Sequence, residues 1–77
     1  MEKYKFVFVN TVDFPEPEVA EGEGETFFDA LVDGYLNTVC DSKEEKEQWK
    51  SGWPDWLLED KDVSDFCNYN DMTYITI

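Results

Sequence analysis

Residues 59–71 read EDKDVSDFCNYND, and five of these thirteen residues are acidic. Carboxylates at such spacing suggest a hard-cation site, so the stretch is compared first with the calcium loop that follows a helix. With the template set on Asp60, its ligand positions fall on Asp60, Asp62, Ser64, Asn68 and Asp71, all oxygen donors. Two requirements fail. The position that needs glycine for a sharp turn holds Asp65, and the closing bidentate Glu is replaced by the shorter Asp71. A strand pattern, not a second helix, comes next. The residues therefore predict no metal and no other cofactor.

Other chemistries find little support. The chain has no His, hence no imidazole base or ligand. A nucleophilic cysteine needs a cationic neighbour to hold its thiolate, and Cys40 and Cys67 sit among acids. They could in principle form one disulfide. No apolar run follows Met1, so a reduced, cytoplasmic chain is expected, with both thiols serving as small core residues. No triad-like spacing and no phosphate loop appears, so no enzymatic activity is expected. The acids remain as candidates for a binding surface.

Charge is the strongest signal. Nineteen Asp and Glu oppose six Lys, with no Arg, giving a formal net charge of −13 over 77 residues. Phosphate binding demands cations, which argues against direct nucleic-acid contact. The same charge suits a basic partner, and also plain solubility. No stretch approaches the length of a membrane span. A chain this short is expected to be one domain over residues 1–77 and to bury about 60% of its unfolded surface. Its six Phe, four Tyr and three Trp are the natural material for that core.

The elements that must position the acids can be read from periodicity. YKFVFVN (4–10) is a strand, and its apolar residues on both faces predict a central place in a sheet. DFPEPE (13–18) is a proline turn, and 18–25 is a short edge strand whose glutamates would deter unwanted pairing. ETFFDALVDGYLNTVC (25–40) is an amphipathic helix with Thr26 as N-cap. Phe28, Leu31, Val32, Tyr35, Leu36 and Val39 form its apolar face, and Asp29, Asp33 and Asn37 the opposite stripe. Gly34 inside it costs about 1 kcal/mol relative to Ala, which a close backbone contact would explain.

Ser42 and Glu45 read as a capping box opening a mostly polar helix that ends at Gly52. Pro54 opens another over 53–60. Residues 62–70 read as irregular, or as one more turn around Phe66. MTYITI (72–77) alternates like a strand. The expected fold is α+β: a three-stranded sheet in the order β-β-α-α-β, with two or three helices packed on one face. Phe6, Phe8, Phe28, Leu31, Tyr35, Leu57 and Ile75 are the expected core. Trp53 and Trp56 are expected to join it, and Trp49 to remain exposed for contact.

KSGW (50–53), an acidic run, then YNDMTYIT (69–76) resemble the C-terminal part of a phage anti-CRISPR family that inhibits Cas9. The resemblance covers about a third of the chain. It implies a non-enzymatic inhibitor that occupies the site where the effector reads its short DNA motif, with carboxylates in place of phosphates. On that reading Glu59, Asp60, Asp62 and Asp65 form the inhibitory surface. Independently of any family, a basic groove awaiting phosphates can be filled by spaced carboxylates. Asp29 and Asp33, about 6 Å apart along a helix axis, could add to the set, with Trp49 as an aromatic contact. The expected partner is thus the basic groove of a nucleic-acid-binding protein. The alternative is a small acidic interaction or structural protein without mimicry, its acids serving solubility.

Overall fold

The computed structural model describes residues 2–10 and 17–77 of the chain. The proline turn expected at 13–18 lies mostly outside them. Strands β1 (Glu2–Asn10), β2 (Glu18–Gly24) and β3 (Met72–Thr76) form one antiparallel sheet in the order β2-β1-β3. Between β2 and β3 run helices α1 (Phe27–Val39), α2 (Lys43–Ser51), α3 (Asp55–Glu59) and α4 (Val63–Tyr69). The class is the expected α+β, with the helices packed against the sheet and β1 at its centre. Among the described residues the helix count is four rather than two or three, because residues 63–69 form a full helix. Asp62 begins it by accepting the Asp65 N–H at 3.0 Å, and Phe66 anchors it as a fully buried residue.

The sheet's inner face is set by β1. Phe6 and Phe8 are buried there, with register partners Ala20 and Glu18 on β2 and Thr76 and Tyr74 on β3. α1 lies over this face through Phe28, Ala30, Leu31, Tyr35 and Leu36, all buried. Its first turn is capped as expected, Thr26 Oγ1 accepting from Asp29 N–H at 3.2 Å. Phe66 completes the core from α4, edge-on to the rings of Phe28, Tyr35 and Trp53 at 5.9, 5.7 and 5.2 Å. Leu57 is the buried residue of α3.

Three expectations about burial need correction. Ile75 is 66% exposed. The register puts it opposite Val7 on the outer face, while Met72 and Tyr74 turn inward. Trp56 is 47% exposed, because α3 has only five residues and buries its next-door neighbour Leu57. Consecutive helical residues point about 100° apart, so both cannot face inward. Val39, at the last position of α1, is 38% exposed. Trp53 is buried and Trp49 exposed, as the sequence predicts.

Gly22 and Gly34 explain how closely β2 lies on α1. A Cβ at Gly22 would fall 2.5 Å from Gly34 N and 2.8 Å from Gly34 Cα, and closer still to the Ala30 carbonyl. The helical glycine thus leaves a flat backbone on which β2 rests, and the Phe6 ring occupies the space that a Gly34 side chain would need. The propensity cost of Gly34 is offset by this approach.

Candidate functional site

The acidic run of the sequence maps onto α3, α4 and the segment between them. Asp55, Glu59, Asp60, Asp62 and Asp65 are all exposed. Within residues 55–65 they oppose one cation, Lys61, whose backbone lies in the left-handed region at φ 50°. Lys61 Nζ reaches Asp29 Oδ2 of α1 at 3.6 Å, with both side chains partly exposed. That pair brings Asp29 beside the 59–65 run, as a shared surface requires. Asp62 also has a local duty as N-cap of α4.

Asp33 is used differently. Its carboxylate accepts the Glu23 N–H of β2 at 3.1 Å and pairs with Lys46 of α2 at 3.3 Å. One turn on, Asn37 Nδ2 donates to the Glu21 carbonyl at 2.6 Å. The polar stripe of α1 is therefore divided. Asp29 faces the acidic run, whereas Asp33 and Asn37 are hydrogen-bonded along the edge of β2. Trp49 belongs to α2, edge-on to Tyr35 at 6.5 Å and 40% exposed. The Ser42 half of the expected capping box forms, with Glu45 N–H donating to Ser42 Oγ at 3.3 Å. Glu45 then accepts from Asp41 N–H rather than from the cap residue's own.

Two residues were not foreseen as site residues. Trp56 of α3 and Tyr69 of α4 stack edge to face at 6.3 Å, and both are nearly half exposed. They flank the acidic run in sequence. The signal was present in the adjacency of Trp56 to Leu57, since a five-residue helix on a small core buries only one of such a pair. Exposed Trp and Tyr beside charge are common anchors of protein interfaces.

The arrangement offers charge and aromatic surface. Burial pushes the Cys40 and Cys67 thiols above their ordinary range, the acids near Cys40 adding to it, so neither is poised as a thiolate. Among the described residues no group of three or more His, Cys, Asp or Glu side chains is arranged to hold a metal ion. Asp60 and Asp62 of the calcium template sit before α4, and Ser64 and Asn68 within it, where a helix replaces the loop. No described helix is long and apolar enough to cross a membrane. No family model, curated protein or solved structure matches the chain.

Proposed function

We propose that the chain is a non-enzymatic inhibitor that presents carboxylates, as a DNA mimic, to the basic nucleic-acid groove of a partner protein, a CRISPR effector being the partner class its C-terminal motifs suggest. One observation carries the reading. The exposed acids of residues 55–65 are matched by a single lysine, and that lysine is turned toward Asp29. By contrast, α2 interleaves Glu44, Glu45 and Glu47 with Lys43, Lys46 and Lys50, a balance that suits solubility. Residues 55–65 thus carry a net charge of −4, from five acids against one lysine, on one exposed segment, and closely spaced carboxylates match a groove lined with Lys and Arg. Trp56 and Tyr69 supply the apolar anchor that charge alone lacks.

The test is capture of a partner from bacterial lysate at low and high salt, followed by competition. The captured protein should bind duplex DNA, and the chain should displace that DNA. A partner that still binds DNA with the chain attached would reject mimicry and leave a plain interaction protein.

A further inference from the structure

The two edges of the sheet are treated in opposite ways. In an antiparallel ladder, alternate residues direct their N–H and C=O toward one neighbour and then the other. The Ile77 N–H donates to the Lys5 carbonyl at 2.9 Å, which fixes the alternation. On β2, Glu21 and Glu23 therefore point their backbone groups away from β1, and there Asn37 and Asp33 of α1 take up the Glu21 carbonyl and the Glu23 N–H. On β3, Tyr74 and Thr76 point theirs away from β1, and among the described residues no strand adds to that edge. The β2 edge also carries Glu18, Glu21 and Glu23, whereas β3 with Ile77 reads MTYITI, free of charged side chains and of proline. Charge, proline and cover are the usual protections of an edge strand, and among the described residues a paired strand, a charged β3 side chain and a β3 proline are all lacking.

We propose that the β3 edge is a docking site and that its occupant is β3 of a second copy of this chain, added antiparallel so that two three-stranded sheets become one of six strands. Charge selects the occupant. A copy carrying −13 is repelled by the acid-bearing faces of this surface, β2 and the 55–65 segment among them. It can approach at β3, and at the adjoining groove lined by Val63, Ser64, Cys67, Asn68, Thr73 and Tyr74, where no Asp, Glu or Lys stands. A cationic partner would be drawn instead to the acids. The strand also fits itself. A two-fold axis through Ile75 lets Tyr74 and Thr76 exchange backbone hydrogen bonds with Thr76 and Tyr74 of the second copy. It sets Ile75 against its twin and Ile77 against Thr73, β-branched pairs that suit adjacent strands. Ile75 and Ile77, 66% and 73% exposed, would then lose water contact.

Such an edge contact belongs to the small, weak class of interfaces. Its distinguishing sign is salt. Screening removes repulsion between like-charged copies, so dimerisation strengthens as salt rises, opposite to the binding of a basic partner. Sedimentation equilibrium from about 10 μM to about 1 mM protein, at about 0.1 M and about 1 M salt, tests this over screening lengths of about 10 Å and 3 Å. The dimer should form at high concentration and tighten about tenfold with salt. Thr76→Pro removes only an N–H directed away from β1, and Ile75→Lys places charge at the axis on an exposed face. Both should stay monomeric with melting midpoints near the parent's. A parent chain monomeric under all conditions overturns the proposal. So does a dimer that both variants retain, since its interface would lie elsewhere.

Discussion

Gly22→Ala puts the packing of β2 on α1 under direct test. The added Cβ would lie 2.5 Å from Gly34 N and 2.8 Å from its Cα, and nearer still to the Ala30 carbonyl. All three obstacles are backbone, so no side chain can rotate away. Overpacking usually costs about 1–3 kcal/mol, and a backbone clash belongs at the upper end, near 3 kcal/mol. A 77-residue domain has about 4–12 kcal/mol in total. The melting midpoint should therefore drop by about 12–24 °C. Gly52→Ala is the matched control. Gly52 is in the right-handed region at φ −83°, and a Cβ there meets nothing nearer than 3.5 Å. It should be neutral or add up to about 1 kcal/mol by restricting the unfolded chain. Urea unfolding followed by tryptophan fluorescence reads both. A Gly22→Ala cost below about 0.5 kcal/mol, within ordinary surface scatter, would mean that the strand does not rest on the helix backbone as described.

Other outcomes follow from the same contacts. Asp33→Ala should cost about 1–2 kcal/mol, reduced from the usual value of a charged hydrogen bond because the side chain is about one-third exposed, and should speed amide exchange at Glu23. Trp53→Ala should cost about 3–5 kcal/mol, and Trp56→Ala, on a half-exposed residue, under about 1 kcal/mol; similar losses from both in urea titrations would contradict the burial pattern. Burial raises Cys40 and Cys67 above the ordinary thiol value of 9.0 and Tyr35 above 10.0. The unfolded chain then releases these protons first, so stability should hold below pH 9 and fall as pH climbs through the raised values. Denaturant midpoints that rise over that alkaline range would contradict it.

Much of the fold was legible because its signals are local. Thr26 caps α1 where the pattern starts, and the doubly apolar pattern of β1 marks the central strand. What escaped depended on choices that periodicity leaves open. Alternation in MTYITI divides the strand into two faces but does not say which turns inward, and the β-branched Ile75 looked the better core residue. Pairing with β1 decided otherwise, setting Tyr74 opposite Phe8. Helix α4 was obscured by Ser64, Asn68 and Asn70, poor helix formers. Its cap at Asp62 and its Val63, Phe66 and Cys67 spacing were nonetheless present. For the candidate site, exposure of the 59–65 acids was readable from composition. The commitment of Asp33 to β2 was not, because it joins residues ten apart across a strand–helix turn.

The central claim concerns where the useful charge lies, and affinity for the captured partner at two salt concentrations tests it most directly. Three proteins are compared: the parent, the variant Asp60→Asn, Asp62→Asn, Asp65→Asn, and the variant Glu44→Gln, Glu45→Gln, Glu47→Gln. Asn at position 62 keeps a competent N-cap, so α4 should persist. The parent should bind more weakly as salt rises, because exposed charges are screened over about 10 Å at 0.1 M. The first variant should lose affinity and much of that salt dependence, while the second, altered within a helix of balanced charge, should stay close to the parent. Equal losses from both variants would show that bulk charge alone matters, and affinity indifferent to salt and to both variants would contradict the account outright.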